Sequence, residues 1–126
     1  MENIRFGVAG LGFVGSETVR LLEAHGPKLS RRLGAQLTLS AVCDRNVARE
    51  GRRLKLPPTV YRTTDPAALL ARPDIDIIVE VLGGLKDPRR LVLGALRAGR
   101  HVVTANKRLL SQCWEEIRRA CAASGA

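Results

Sequence analysis

The chain has 126 residues, 45% hydrophobic and 26% charged, which suits one folded domain and excludes a disordered polyelectrolyte. No apolar run approaches the roughly 18 residues of a membrane span, and the opening Met1-Glu2-Asn3-Ile4-Arg5 lacks the basic and apolar regions of a secretory signal. Net charge is +9, but the arginines are dispersed and the aromatics number four (Phe6, Phe13, Tyr61, Trp114), too few for a single-strand stacking platform, so nucleic acid is not the expected partner.

Ile4-Arg5-Phe6-Gly7-Val8-Ala9 is a short apolar run ending in glycine and predicts a buried strand. Residues 13–25 then show helical spacing, with Val14, Thr18, Leu21 and Leu22 on one side, and Gly26-Pro27 predicts the stop. Residues 28–34 are basic and unpatterned and read as an exposed loop, with Ser30-Arg31-Arg32 as an alternative helical extension. Leu37-Thr38-Leu39-Ser40-Ala41-Val42 alternates as a second strand, ending at Cys43-Asp44-Arg45. A polar helix over 47–54 follows, then Pro57-Pro58 and a short edge strand at Thr59-Val60-Tyr61.

Asp65-Pro66 and Asp87-Pro88 both have the form of helix starts, aspartate at the N-cap and proline where no N–H is missed. Between them Asp76-Ile77-Ile78-Val79-Glu80-Val81-Leu82 is nearly continuously apolar, as a central parallel strand should be. The helix from Pro88 carries Leu91, Val92, Ala95 and Leu96 and closes at Gly99; His101-Val102-Val103-Thr104 is the next strand. A last helix from about Leu109 places Leu110, Cys113, Trp114, Ile117 and Cys121 on one stripe. The alternation predicts an α/β fold, a doubly wound, Rossmann-like parallel sheet covered on both faces, in a single domain over residues 1–126.

The motif Gly10-Leu11-Gly12-Phe13-Val14-Gly15 fits G-x-G-x-x-G between the first strand and the first helix. Gly10 permits the tight turn, Gly12 lets backbone approach a pyrophosphate, and Gly15 lets helix and strand pack closely. Asp44-Arg45 ends the second strand, where adenosine ribose is read. Aspartate there suits the hydroxyls of NAD, arginine the 2′-phosphate of NADP. With Arg49, Arg52, Arg53, Lys55 and Arg62 close in sequence, the neighbourhood favours NADP and leaves NAD open, Asp44 then serving as a helix cap.

Glu80-Val81-Leu82-Gly83-Gly84 ends the central strand at the ligand-binding edge, where the glycine pair would let a nicotinamide lie against backbone. Glu80 is an acid in an apolar strand, and three roles stay open for it: ion pair, backbone acceptor or catalyst. Thr104-Ala105-Asn106-Lys107 ends the next strand at the same edge and brings Lys107 within reach of nicotinamide, phosphate or a substrate carbonyl. The cofactor-binding set is therefore Gly10, Gly12, Phe13, Val14, Gly15, Asp44, Arg45, Leu82, Gly83, Gly84, Asn106 and Lys107, with Lys107 also assisting catalysis. His25, at a helix end, and His101, at a strand entry, receive no catalytic role. Cys43, Cys113 and Cys121 have neither disulfide-scaffold nor zinc spacing, so no metal is expected and the setting is a reducing, cytoplasmic one.

Taken together, Gly10 to Gly15, Glu80 to Gly84 and especially His101-Val-Val-Thr-Ala-Asn-Lys107-Arg-Leu-Leu110 resemble the N-terminal NAD(P)-binding domain of homoserine dehydrogenase, over essentially the whole chain. The resemblance implies NAD(P)H-dependent reduction of aspartate 4-semialdehyde to homoserine, on the route to threonine, methionine and isoleucine. It also implies that Phe13, Val14, Arg45, Gly83 and Lys107 contact cofactor. In that family a dimerisation and catalytic domain follows, bringing the lysine and aspartate of proton transfer and substrate binding, and sometimes a regulatory ACT domain. The expectation is a chain truncated before that domain, whose parent is a homodimer acting on a small molecule and which binds cofactor weakly without turnover. Two alternatives stay open: a stand-alone NAD(H)-sensing module, or the front half of another two-domain reductase such as aspartate dehydrogenase or a dihydrodipicolinate reductase relative. The Thr104-to-Lys107 run argues against those reductases.

Overall fold

A computed structural model describes residues 2–126; Met1, part of the N-terminal reading, lies outside the described residues. Five strands alternate with five helices: β1 Glu2–Ala9, α1 Phe13–Leu33, β2 Ala35–Cys43, α2 Val47–Arg53, β3 Tyr61–Thr63, α3 Pro66–Leu70, β4 Ile77–Glu80, α4 Lys86–Arg97, β5 His101–Thr104 and α5 Lys107–Ser124. All pairings are parallel and the strand order is β3-β2-β1-β4-β5. The chain moves one way from β1 through β3, then crosses to the other side of β1 for β4 and β5. That reversal opens a crevice above the carboxyl ends of β1 and β4, the switch point where ligands bind in open α/β sheets.

The two-residue period of the strands sorts the core into two layers. Phe6, Val8 and Val42 face α1 and α2, packing with Val19, Val47 and Leu54. Ala9, Ala41, Cys43 and Ile78 face α3 and α4, against Leu69, Leu91 and Ala95. A satellite cluster joins α4 to α5 through Val92, Leu93, Leu96, Leu109, Cys113, Ile117 and Ala120. The doubly wound expectation holds, but coverage is uneven. Helices after β4 lie on the α3–α4 side, so Val103 on the opposite face is 58% exposed beside Leu21.

Several boundaries depart from expectation. The first helix does not stop at Gly26-Pro27 but runs to Leu33, with Pro27 inside it. The missing N–H removes one helical bond, and the partial burial of Leu29 and Ser30 beyond it keeps the segment seated. The stop falls instead at Gly34, whose left-handed φ of 67° lets its N–H reach the Ser30 carbonyl, while Arg31 and Arg32 complement the helix end. His25 is consequently mid-helix. The edge strand is displaced two residues, to Tyr61–Thr63.

Asp65 caps α3 as expected, accepting from Ala67 N–H at 3.0 Å. By contrast α4 begins at Lys86, two residues earlier than its aspartate-proline pair predicts, with Leu85 at the N-cap. Pro88 then occupies the third helical position, where its N–H would still have had no intrahelical partner. The α5 stripe is also corrected. Leu109, Cys113, Ile117 and Ala120 are buried against α4, whereas Trp114, one residue round the helix from Cys113, is 56% exposed.

Candidate functional site

Parallel register brings four strand ends to one level: Ala9 lies opposite Cys43 on one side and Glu80 on the other, and Glu80 lies opposite Thr104. The glycine turn sits in the middle of this edge. Gly10 has φ 101°, and a Cβ there would fall 2.5 Å from the Val81 carbonyl oxygen. A Cβ on Gly15 would fall 1.7 Å from the Gly10 carbonyl oxygen, so this glycine is a packing requirement beneath the turn. Gly12 is different: nothing lies within 4 Å of the position its Cβ would take.

Gly12 is also the N-cap of α1. It offers no side-chain cap, and the first turn holds no acid. The N-terminal amides of a 21-residue helix therefore face an open approach with no side-chain cap on them. This arrangement fits the pyrophosphate of a dinucleotide. Phe13, at the first helical position, leaves its ring 85% exposed, so it brings backbone rather than ring to the turn; Val14 reaches the cleft on the β5 side.

At the β2 end, Asp44 is engaged on both oxygens. Oδ2 accepts from Leu11 N–H at 2.7 Å and Oδ1 from Asn46 N–H at 2.8 Å. It thus braces the glycine turn against the β2 loop, and the capping role expected for it becomes this turn at the entry to α2. Arg45 beside it is exposed, without an ion-pair or hydrogen-bond partner among the described residues, and lines a cleft of about 620 Å³ together with Gly10, Gly12, Leu82, Gly83 and Gly84. The wider basic cluster disperses. The Arg62 guanidinium folds back onto the carbonyls of Leu56, Pro57 and Val60, and Arg53 is held by Glu50 and by the Ser16 hydroxyl. Arg62 is a loop staple, not a phosphate ligand.

At the β4 and β5 ends, Gly83 and Gly84 adopt φ of 78° and 80°, a consecutive left-handed pair that side chains disfavour. A second cleft of about 310 Å³ opens here between Val14, Val81, Gly83, Ala105, Asn106 and Lys107. Lys107 begins α5, exposed and with no carboxylate in ion-pair range among the described residues. Asn106 lines this cleft with its side chain engaged inside the protein: its Oδ1 caps α5 by accepting from Leu109 N–H at 2.9 Å, and its Nδ2 donates to the Gly84 carbonyl at 2.7 Å. Leu82 likewise donates its N–H to Glu80, its side chain half-buried at the cleft wall. Glu80 is completely buried and accepts from backbone and hydroxyl, which selects the backbone-acceptor role over an ion pair.

Sequence reasoning missed Thr64 and Asp87 in the larger cleft. Asp87 was legible in principle, as the acid just beyond the Gly83-Gly84 turn; Thr64 follows an edge strand too short to place. Cys43, under the glycine turn, is buried, and burial with the nearby Asp44 charge pushes its thiol up to about 11, so it stays protonated and unreactive near neutrality. No group of three or more metal-ligating side chains occurs among the described residues, and none of their helices is long and apolar enough to cross a membrane.

Comparison with known proteins supplies an independent finding. The family model of the homoserine dehydrogenase NAD-binding domain matches residues 10–126. Homoserine dehydrogenase of Corynebacterium glutamicum is 43% identical over 122 residues, 94% of this chain and 26% of the relative. That of Neisseria gonorrhoeae is 38% identical over 117 residues, 93% of this chain and again 26% of the relative. The crystal structure of a homoserine dehydrogenase from Thiobacillus denitrificans superposes with a TM-score of 0.88 at 37% identity, covering 99% of this chain and 28% of that one. The chain thus spans about a quarter of the length of the relatives it matches.

Proposed function

The chain belongs to the homoserine dehydrogenase family, as its NAD-binding domain, and from that premise we propose that it binds NADP(H) in preference to NAD(H). The observation that carries the preference is the engagement of Asp44. Each of its oxygens already holds a backbone N–H group, so a ribose diol meets only the remaining lone pairs, in an orientation fixed by the brace of the glycine turn. Arg45, exposed at the same strand end, is left as the group that meets a 2′-phosphate, to which a guanidinium makes charge-assisted bonds. A dinucleotide laid along this edge has its pyrophosphate at Gly12 and the start of α1, adenosine above β2, and nicotinamide in the cleft between Val14, Gly83 and Lys107.

Bound there, the reduced nicotinamide supplies hydride to a carbonyl carbon. The proposed substrate is that of the family, aspartate 4-semialdehyde, in the biosynthesis of threonine and methionine. Lys107 is, among the described residues, the one exposed titratable group lining the cleft, placed to hold the substrate oxygen. Turnover further requires the aldehyde to be gripped in a reactive orientation and a proton to be delivered to it. One wall of a site does not meet both needs, so the 126 residues alone should bind cofactor and leave homoserine unoxidised. The sensor and other-reductase alternatives are not favoured by relatives that are homoserine dehydrogenases.

Fluorescence titration of the purified chain with NADPH and NADH tests the reading. Binding of NADPH tighter by roughly tenfold, about one charge-assisted contact, is expected. Equal affinity would remove the preference, and no binding of either would remove the dinucleotide site. A homoserine oxidation assay on the same preparation should stay at background.

A further inference from the structure

One buried acid joins the two loops that form the nicotinamide cleft. Glu80 is 0% exposed at the end of β4, and no cation pairs with it among the described residues. Its Oε2 accepts from Leu82 N–H at 2.9 Å, shaping the loop that leads into Gly83. Its Oε1 accepts from the Thr104 hydroxyl at 2.6 Å, on the neighbouring strand. Thr104 Oγ1 in turn accepts from Asn106 N–H at 3.0 Å, and Asn106 Nδ2 returns to the Gly84 carbonyl at 2.7 Å. The bonds close a ring: β4 end, Thr104, Asn106 and back to the β4 loop.

A buried carboxyl without a cation is expensive, and a cheaper residue would serve if only packing were required. What the ring accomplishes is geometric. It holds the Gly83-Gly84 backbone and the first residue of α5, Lys107, in one fixed relation across the cleft. Neither Glu80 nor Thr104 needs to touch a ligand to do this.

Resting on the proposed nucleotide site, we propose that Glu80 and Thr104 are positioning residues for the nicotinamide half of the cofactor, acting through the ring that ties the β4 loop to the start of α5. The adenosine half lies at the β2 end, on the far side of the glycine turn, and is braced separately by Asp44. Loss of the ring should therefore be felt at one end only.

The test uses Thr104→Val, which keeps the strand-favouring shape and removes the hydroxyl. Thr104→Ser, which keeps the hydroxyl, is the rescue, and Glu80→Gln is a second disruption. Each is titrated with NADPH and with adenosine 2′,5′-bisphosphate, which carries the adenosine half alone, and the emission of bound NADPH is recorded. Thr104→Val and Glu80→Gln should weaken NADPH by roughly five- to tenfold and reduce its emission on binding. Their affinity for adenosine 2′,5′-bisphosphate should stay within about twofold of wild type, and Thr104→Ser should restore NADPH binding. Parallel weakening of both ligands, or none of either, would overturn the positioning role while leaving the nucleotide site standing. A wild-type chain that binds neither ligand would overturn the nucleotide site, and the positioning role with it. Should Glu80→Gln fail to fold, the Thr104 pair decides alone.

Discussion

The β2 end and the β4–β5 end of the cleft each place an acid where a parallel strand ends, yet the acids work differently. Asp44 is half-buried and braces its loop in one step, taking two backbone N–H groups directly. Glu80 is completely buried and reaches its second loop through the hydroxyl of Thr104. The difference follows from strand position. Asp44 faces the glycine turn of the adjacent strand, close enough for direct contact, whereas Glu80 and Thr104 are paired residues on neighbouring strands. An acid at a strand end is thus not evidence of ligand contact by itself; both are engaged in shaping backbone.

The severest way to break this contrast is to remove what both ends share. Gly15→Ala would put a methyl group against the Gly10 carbonyl under the turn. It should destabilise the chain by about 3 kcal/mol and abolish NADPH binding, read by urea denaturation and titration. Gly12→Ala is the matched control. Its backbone at φ −70° accepts a side chain and its Cβ meets open space, so stability should move by less than about 0.5 kcal/mol while dinucleotide affinity falls. If Gly12→Ala binds NADPH as wild type does, the pyrophosphate does not lie there.

A milder change should separate the ends. Arg45→Ala should weaken NADPH by about 1.5 kcal/mol, roughly the tenfold preference one charge-assisted contact gives, and leave NADH within about twofold. Equal weakening of both cofactors would mean that Arg45 does not read the 2′-phosphate.

The smallest expected effect lies away from both. Asp74, before β4, is held below the usual carboxylate range chiefly by its hydrogen bonds to Arg72, at 2.8 and 3.1 Å. A carboxylate whose folded pKa is lowered contributes stability above its unfolded pKa, and loses it as pH falls through the folded value. The pair is about one-third exposed and hence screened, so Asp74→Asn should cost under about 1 kcal/mol at pH 7 and nothing once the wild-type residue is protonated. Thermal melts of both proteins from pH 7 down to pH 2 check this, with cofactor binding at pH 7 unchanged.

The strand ends and the glycine turn were legible because their signals are local: a short apolar run, then glycines whose missing side chains are needed for backbone to pass backbone. The Asp65-Pro66 cap was legible for the same reason, since an N-cap bond spans two residues. Gly26-Pro27 misled because a local stop signal competes with burial further along, and the energy of seating Leu29 and Ser30 is not written at residue 27. Trp114 misled because helical spacing leaves neighbouring positions on similar faces until a partner helix selects one stripe. Arg62, one of the basic residues close in sequence to Arg45, found carbonyls of its own loop instead, a choice made by chain reversal after Pro57-Pro58.

By itself, then, the order of residues determined the alternation of strand and helix, the glycine turn at the head of α1, and a family whose dehydrogenases this chain matches across residues 10–126. Tertiary structure alone decided which polar groups remain free at the edge. Asp44, Glu80 and Asn106 are taken up by backbone and hydroxyl partners as far as 33 residues away in sequence, while Arg45 and Lys107 are left open. The reason is physical. A hydrogen bond is satisfied by whatever lies within 3 Å or so, and in a parallel sheet that neighbour belongs to another strand, set by the order β3-β2-β1-β4-β5 rather than by position along the chain.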